Sequence, residues 1–244
     1  MINWRNKNMI KVDKKKITLA ASVSCMDFCN LGAHIAAVED SSVGFFHFDV
    51  VDGRFNNCII LGLPILESMR ERTKLPIEVH LAVYEPEKYI EQFVKAGADY
   101  IAVHYEAMDN PRYVFELIQK YGAVPVLAYK ATTCVDKNFA DLISFVPWVL
   151  KLTVNPGFSG QKIQPASFEH IKSMREQINE SGLDVGIQAD GNININTIES
   201  VVSAGADMLT GGTSGLFLKG KTVAQNAEAM LISAYSALGK SKDS

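Results

Sequence analysis

The segment Lys95-Ala-Gly-Ala-Asp-Tyr100 returns almost unchanged as Ser203-Ala-Gly-Ala-Asp-Met208. In each copy a helical pattern ends near the glycine, and a short apolar run follows the aspartate. Glycine at such a point is typical of a helix that ends in the left-handed conformation. The two copies therefore predict equivalent helix-to-strand junctions, before the fourth and the eighth strands of the chain.

Short apolar runs alternate with longer amphipathic stretches from Ile17 to the end of the chain. Apolar runs rich in β-branched and aromatic residues are separated by amphipathic stretches such as Pro165–Ser181, which has helical spacing. This alternation is typical of βαβ units with a parallel sheet. The eight apolar runs are Ile17–Val23, Phe45–Val51, Ile77–Val83, Tyr100–Val103, Val124–Tyr129, Trp148–Val154, Val185–Ala189 and Met208–Thr210.

Eight such units in 244 residues predict a closed (β/α)8 barrel, or TIM barrel, whose usual size is about 250 residues. The alternative is an open doubly wound sheet, which usually carries a glycine-rich G-x-G-x-x-G turn after its first strand. Because the first strand here lacks that turn, the barrel is favoured. We expect one barrel domain over residues 17–244, preceded by a basic leader over residues 1–16.

Composition narrows the function classes. The net charge is −3, so no overall basic excess predicts nucleic-acid binding. The apolar runs are too short to predict a membrane span, and the N-terminus lacks the apolar core of a signal peptide. The leader has six lysines and arginines against Asp13. We interpret it as a solvated segment, with an anionic partner as the alternative.

The four cysteines are too few for a disulfide scaffold. We therefore expect a cytoplasmic protein with reduced thiols. Cys25 and Cys29 lie four residues apart on a predicted helix, a spacing that could place two metal ligands on one face. No further ligand follows at the spacing of a zinc site, so packing roles are favoured for both.

Polar residues at predicted strand ends indicate a metal site, because the active site of a barrel lies at the carboxyl ends of its strands. His47 and Asp49 are two residues apart on the second strand and point the same way. His80 ends the third strand and Asp190 ends the seventh. Two imidazoles and two carboxylates suit a divalent zinc, iron, manganese or cobalt ion. The alternative is that the histidines are hydrogen-bonded core residues.

The other histidines carry less information. His104 follows the fourth strand, and Glu106 lies just beyond it as a strand-end carboxylate with no specific predicted role. His34 and His170 fall in predicted helices and are expected at the surface.

Glycine-rich turns follow the last three predicted strands, at Asn155–Gly160, Asp190–Asn192 and Gly211–Gly215. Phosphate sites of barrels commonly use the loops after strands seven and eight, where backbone N–H groups are the donors. The turns therefore predict a ligand that carries a phosphate.

The motif His47-Phe-Asp-Val-Val-Asp-Gly-Arg-Phe55 resembles the ribulose-phosphate 3-epimerase family. The resemblance covers nearly all of the chain from Ile17 to the last helix. Its other segments are Ser22 with Asp27, Glu78-Val-His-Leu81, Ala96-Gly-Ala-Asp99, Thr153-Val-Asn-Pro-Gly-Phe158 with Gly160-Gln161, and Ala189-Asp-Gly191. Cys25-Met-Asp27 and Gly212-Thr-Ser-Gly-Leu-Phe217 look more like the allulose-6-phosphate 3-epimerase branch.

The resemblance implies a homo-oligomeric barrel of the ribulose-phosphate-binding type. It implies a metal-dependent 3-epimerase of a ketose phosphate, either ribulose 5-phosphate or a hexulose 6-phosphate such as allulose 6-phosphate. The metal would be held by His47, Asp49, His80 and Asp190, and the two aspartates would exchange protons on opposite faces of the substrate through an ene-diolate. Ser22 and His80 would contact the sugar. Around the phosphate end would lie Gly157, Phe158, Ser159, Gly160, Gly191, Asn192, Gly212, Thr213 and Ser214.

The sequence departs from the family pattern at methionines that line the site, where Val51, Ala82 and Leu152 stand here. Two alternatives follow. One is a sugar-phosphate-binding barrel that has lost catalysis, although intact Asp49 and Asp190 argue against it. The other is different chemistry on the same barrel, such as an aldol reaction at a lysine, for which Lys151 and Lys130 lack the expected Asp-x-Lys arrangement.

Overall fold

The computed structural model describes residue 10 and residues 16–155 and 160–239. Eight parallel strands close into a barrel, which confirms the predicted fold. With the short antiparallel strand β3, the described residues form nine strands: β1 (Thr18–Ser22), β2 (Val43–Asp52), β3 (Ile59–Ile60), β4 (Ile77–Ala82), β5 (Tyr100–His104), β6 (Val124–Tyr129), β7 (Trp148–Leu152), β8 (Gly186–Ile193) and β9 (Met208–Gly211).

Helices surround the barrel, and short 3₁₀ turns link several of them to the strands. They are α1 (Leu31–Glu39), α2 (Leu63–Arg70), α3 (Ile90–Lys95), α4 (Pro111–Tyr121), α5 (Phe139–Leu142), α6 (Ala166–Ser181), α7 (Ile198–Ala204) and α8 (Val223–Ala237). The predicted helix over residues 165–181 corresponds to α6. In the described part of the chain, no helix combines the length and apolar character needed to cross a bilayer.

The barrel closes because β1 pairs in parallel with both β2 and β9. The extra strand β3 was not among the eight predicted runs. It folds back on β2 as an antiparallel hairpin, with Val51 opposite Ile60 and Asp52 opposite Ile59. The hairpin therefore extends one rim of the barrel without changing its eight-strand closure.

Aromatic side chains close the end of the barrel at which the strands begin. The ring centroid of Trp148 lies 5.9 Å from that of Phe45 and 4.5 Å from that of Tyr100. All three side chains are buried. The Tyr100 hydroxyl accepts a hydrogen bond from the backbone N–H of Ile10 at 2.8 Å. This packing leaves the opposite end, where the strands finish, as the open end.

The first Ala-Gly-Ala-Asp copy forms a junction that an arginine covers. Gly97 has a φ of +112°, and a Cβ built on it would lie 2.5 Å from the Cδ of Arg70. The guanidinium of Arg70 donates to Asp99 at 2.9 Å. Asp99 also accepts the backbone N–H of Ile77, the first residue of β4, at 3.0 Å. One arginine thus ties the end of α2 to the start of β4 and β5.

The second copy repeats this junction half a barrel away. Gly205 has a φ of +121°, and a Cβ on it would lie 2.8 Å from the Cβ of Arg175. Arg175 pairs with Asp207, which accepts the backbone N–H of Ile187 at 3.0 Å. We call the two sets, Arg70–Gly97–Asp99 and Arg175–Gly205–Asp207, the arginine junctions. They give the sequence repeat a shared structural role.

The predicted leader over residues 1–16 lies outside the described residues, apart from Ile10 and Lys16. Its separation from the barrel as a domain stays a prediction.

Candidate metal and substrate site

Four side chains converge at the open end of the barrel, where the sequence predicted a metal site. Strand alternation points His47 and Asp49 of β2 inward together. The β2–β4 register places Asp49 directly opposite His80, and β8 supplies Asp190. One ligand atom from each of the four residues lies within 4.8 Å of all the others.

The distances within this cluster fit a single bound ion. His47 Nε2 lies 3.0 Å from Asp49 Oδ1 and 3.5 Å from Asp190 Oδ2. His80 Nδ1 lies 3.2 Å from the same Asp49 Oδ1. Ligands about 2.0–2.2 Å from a tetrahedral ion are roughly 3.4 Å from one another, so the spacing and the N/O donor set fit a divalent metal.

Burial and charge act differently on the two carboxylates. Burial raises the pKa of Asp190 to about 6, with the nearby His47 acting in the opposite direction. Burial also opposes ionisation of Asp49, but the adjacent His47 and His80 outweigh it and hold the pKa of Asp49 well below its usual range. The environments therefore move the pKa values of the two carboxyls in opposite directions, as in other acid–base pairs.

The two carboxylates also change the pKa of His47. Burial disfavours the charged imidazole, yet the carboxylates of Asp49 and Asp190 raise the pKa of His47 well above its usual value.

Two serines orient the second oxygen of Asp49. Ser24 donates to Asp49 Oδ2 at 2.9 Å, and Ser22 lies 3.3 Å from the same oxygen. Ser22 was predicted to contact the sugar, whereas Ser24 was not singled out from the sequence. Ser24 lies in a 3₁₀ turn after β1, where no strand or helix periodicity predicts the direction of its side chain.

A buried carboxylate holds His47 from behind. Glu78 Oε2 lies 2.6 Å from His47 Nδ1, and Glu78 is fully buried. The indole N–H of Trp148 donates to Glu78 Oε1 at 2.9 Å, and the Gln188 amide donates to Oε2 at 2.9 Å. Such an outer carboxylate orients a metal-binding imidazole and fixes which nitrogen carries its proton.

His80 is held by a second histidine. His80 Nε2 lies 2.8 Å from His104 Nε2, and His104 Nδ1 lies 3.1 Å from Glu106 Oε2. Burial lowers the pKa of His104 to about 4. The sequence placed His104 and Glu106 near the strand end but did not connect them with the cluster.

Three of the four residues, Asp49, His80 and Asp190, form the floor of a cavity of about 360 Å³, and His47 lies buried beside them. The glycine-rich segments at the carboxyl ends of β8 and β9 form part of its wall, together with Leu152. Predicted substrate-binding residues that line the cavity are Ser22, His80, Gly160, Gly191, Asn192, Gly212, Thr213 and Ser214. Three more, Gly157, Phe158 and Ser159, lie outside the described residues.

The irregular end of β8, predicted as a turn after the strand, depends on glycine. Gly191 has a φ of +115°, and a Cβ on it would lie 2.5 Å from Val154 Cγ2. Asn192 follows with a φ of +51°, and its Oδ1 accepts the hydroxyl of Ser214 at 3.1 Å. This contact joins the glycine-rich segments at the ends of the neighbouring strands β8 and β9.

The three positions that depart from the family pattern have different surroundings. Leu152 lines the cavity, whereas Val51 and Ala82 lie outside the set of described residues that line it. Val51 and Ala82 form a small buried cluster with Phe55. Among the described residues, Leu152 is therefore the one of these three substitutions that changes the cavity wall.

Other predictions based on single residues need correction. Cys25 and Cys29 lie in separate 3₁₀ turns and not on one helix; Cys25 borders the cavity and Cys29 is exposed. His34 and His170 are half-buried, because His34 packs against Phe217 and His170 Nδ1 lies 3.1 Å from the carbonyl of Ala131.

A closed barrel in which two imidazoles and two carboxylates meet at the strand ends defines a (β/α)8 enzyme whose centre can hold a metal ion. The chain belongs to the ribulose-phosphate 3-epimerase family, whose model matches residues 18–217. It is 38% identical to a ribulose-phosphate 3-epimerase of Synechocystis over 207 residues, covering 82% of this chain and 87% of the relative. It is 37% identical to one of Methanocaldococcus jannaschii over 212 residues, covering 86% and 89%.

Solved structures resemble the chain at lower identity. A mutant tryptophan synthase alpha-subunit of Pyrococcus furiosus superimposes with a TM-score of 0.61 at 11% identity, covering 91% of this chain and 98% of that one. A thiamine phosphate pyrophosphorylase of the same organism gives 0.61 at 12% identity, covering 93% and 98%. At this identity the likeness shows the barrel fold alone.

Proposed function

We propose that the protein is a metal-dependent 3-epimerase of a ketose phosphate, with ribulose 5-phosphate as its first candidate substrate. The observation that carries the proposal is the pair Asp49 and Asp190, which both line the cavity and lie 3.0 and 3.5 Å from the same nitrogen, His47 Nε2. Epimerisation at C3 removes a proton next to the C2 carbonyl and returns it to the other face. Two carboxylates, one for each face of C3, would supply that chemistry.

The chain's own residues would first fix the substrate. The glycine turns offer backbone N–H groups to the phosphate, as glycine-rich loops of barrels commonly do. Ser214, which donates to Asn192, lies at this end of the cavity. Ser22 and His80 lie on the floor, within reach of the sugar hydroxyls. Binding at both ends would place C3 between the two aspartates.

Proton transfer is then shared between the aspartates. The carboxylate that faces the C3 hydrogen accepts it, and the carboxyl on the opposite face donates a proton to C3. Ser24 holds Asp49 so that one oxygen stays fixed while the other faces the cluster. General acid–base catalysis of this kind contributes typically about 10²–10⁴-fold to the rate.

A divalent ion held by His47, Asp49, His80 and Asp190 would supply Lewis-acid stabilisation of the negative charge that develops on the substrate oxygens.

The substrate follows from the relatives and from the cavity. The two relatives described above are both named ribulose-phosphate 3-epimerase, which supports ribulose 5-phosphate. A hexulose 6-phosphate is the second candidate, because Cys25 and Gly212, in the two segments similar to the allulose-6-phosphate branch, both border the cavity. Both sugars are therefore tested.

Proton NMR in D2O tests the proposal with zinc-loaded protein. We expect the C3 proton signal of ribulose 5-phosphate to disappear as its epimer forms, with slower exchange for allulose 6-phosphate. Asp190→Asn should lower the exchange rate by about 10²–10⁴-fold, since one of the two proton carriers is lost. Asp136→Asn makes the same carboxylate-to-amide change at an exposed loop and should leave the rate unchanged.

Two outcomes contradict the proposal. Saturable binding of either sugar phosphate without C3 exchange would favour a binding barrel. Formation of a borohydride-trapped adduct would indicate aldol chemistry at a lysine.

A further inference from the structure

We propose that Glu106 is a positioning residue for the metal site, which acts through His104 to fix the nitrogen of His80 that carries a proton. The set Glu106–His104–His80 is named the histidine relay below. This inference rests on the proposed function only for the assumption that the four-residue cluster binds a metal.

The relay is short, aligned and buried. His80 and His104 are 1% and 0% exposed. Their Nε2 atoms are 2.8 Å apart, and His104 Nδ1 lies 3.1 Å from Glu106 Oε2. The ring of Phe55 packs on His104 with centroids 4.6 Å apart, which restrains the plane of the imidazole.

When a metal is bound, only one placement of the protons gives every donor in the relay an acceptor. His80 Nδ1 faces the cluster, so this nitrogen must be without a proton to act as a ligand. Its proton then lies on Nε2 and is donated to His104 Nε2, which must be an acceptor. His104 therefore carries its proton on Nδ1, where it is donated to the Glu106 carboxylate. Each N–H in the relay has an acceptor.

The far side of Glu106 is held by a backbone N–H and by a hydroxyl group. Glu106 Oε1 accepts the backbone N–H of Lys130 at 2.8 Å, and the Thr133 side chain also bonds to this carboxylate. Lys151, fully buried, donates to the carbonyls of Lys130 and Thr133 at 2.5 and 2.6 Å and so holds their turn in place. The relay therefore ends on a rigid turn after β6.

The two histidines of the cluster thus reach a carboxylate by different routes. Glu78 contacts His47 directly, whereas Glu106 contacts His80 through a second imidazole. Outer partners of this kind fix the tautomer of a metal-binding imidazole, and their loss typically weakens metal binding about 10- to 100-fold.

Glu106→Gln is the informative change, because it keeps the shape of the side chain. The Lys130 N–H can only donate, so the amide oxygen must face it and the amide NH2 must face His104. His104 Nδ1 then has to accept, and its proton moves to Nε2. That proton points at His80 Nε2 and drives the His80 proton onto Nδ1, the nitrogen needed by the metal.

Titration of metal-free protein with Co²⁺, followed by visible absorption, measures the effect. We expect Glu106→Gln to bind Co²⁺ about 10- to 100-fold more weakly than the parent protein. The control Asp136→Asn should bind it as tightly as the parent. If circular dichroism shows that Glu106→Gln is folded, and the variant binds Co²⁺ with the parent's affinity, the proposal is overturned.

A second measurement needs no variant. In zinc-loaded parent protein, ¹⁵N NMR of the histidine rings should show His104 protonated at Nδ1 and bare at Nε2. A His104 protonated at Nε2 overturns the relay, even if Glu106→Gln does not fold. A general loss of packing would not reverse a tautomer.

Neither measurement uses a sugar substrate, so the relay and the epimerase proposal fail separately. An expected Co²⁺ affinity and tautomer with no C3 exchange would leave the relay intact and remove the proposed reaction. If the parent protein exchanges the C3 proton but Glu106→Gln binds Co²⁺ as tightly as the parent, the proposed reaction stands and the relay is overturned.

Discussion

Lys151 is a buried cation on the outer face of β7, away from the cavity floor. Its side chain is fully buried, and two backbone carbonyls accept its ammonium protons. Burial lowers the pKa of Lys151 to about 8 from its usual 10.5. Stability should therefore depend on pH through this residue.

Between pH 8 and 10.5 the unfolded chain holds a proton on Lys151 that the folded protein has released. The unfolded state binds more protons in this window, so stability rises with pH. The gain is about 3 kcal/mol in the free energy of unfolding across the window. We expect urea denaturation at several pH values to show this rise for the parent protein relative to Lys151→Met.

The control for this prediction is Lys172→Met, which removes an exposed lysine from α6. Its stability relative to the parent should not change between pH 8 and 10.5. If the difference in the free energy of unfolding between the parent and Lys151→Met also stays constant from pH 8 to 10.5, the prediction is wrong.

At the residue scale, strand alternation and strand ends were enough to predict that four side chains meet at the open end of the barrel, as His47, Asp49, His80 and Asp190 do. Sequence reasoning gave Glu106 no role and left His104 outside the cluster. The reason is physical: the contact between His80 and His104 joins neighbouring strands and depends on a side-chain geometry that spacing along the chain does not encode. Ser24 was missed for the same reason, because a 3₁₀ turn has no alternation that orients its side chains.

At the element scale, the arginine junctions predict a sharp difference between glycines with positive φ. Gly97→Ala should destabilise the protein by about 2–5 kcal/mol, since left-handed strain adds to overpacking against Arg70. Gly122 has a φ of +95° with open space around it, so Gly122→Ala should cost only the strain, about 1–2 kcal/mol. Guanidinium denaturation measures both values.

Equal losses for the two alanine variants would argue against steric contact at the junction. The second junction offers a replicate, because Gly205→Ala should behave like Gly97→Ala and not like Gly122→Ala.

All eight barrel strands were predicted, but the structure adds two features that the pattern did not contain. The hairpin strand β3 is only two residues long, so it carries too few side chains for a periodic signal. Strand β8 runs on to Ile193, beyond the predicted end at Ala189. Gly191 and Asn192 have positive φ there, and the register with β9 shifts, which is bulge geometry that hydropathy does not report.

At the scale of the whole molecule, metal binding should stabilise the fold. An ion present at 100 times its Kd adds about 2.7 kcal/mol to the free energy of unfolding. For a chain of this size that corresponds to a rise in Tm of about 5–10 °C. Thermal melts of metal-free protein with and without Zn²⁺ measure the shift.

Asp190→Asn is the control for the melts, because it removes one carboxylate ligand and should reduce the zinc-dependent shift. The same shift in parent and variant would place the stabilising ion outside the cluster.

The closed barrel itself was predictable from the number of repeated units and the length of the chain. The open end was predictable too, since the polar residues lie where strands finish. The layer of aromatic rings at the opposite end of the barrel could not be predicted. The contacts of Trp148 with Phe45 and Tyr100 depend on how three strands, distant in sequence, are staggered in the barrel.

Each arginine junction is built from residues of one half of the chain, so neither half needs the other to form it. The candidate site is divided differently: His47, Asp49 and His80 come from the first half of the chain, whereas Asp190 and the glycine-rich segments come from the second. Only the site therefore needs both halves. In descendants of such a barrel, substitutions that reshape the site can accumulate while both arginine junctions stay intact.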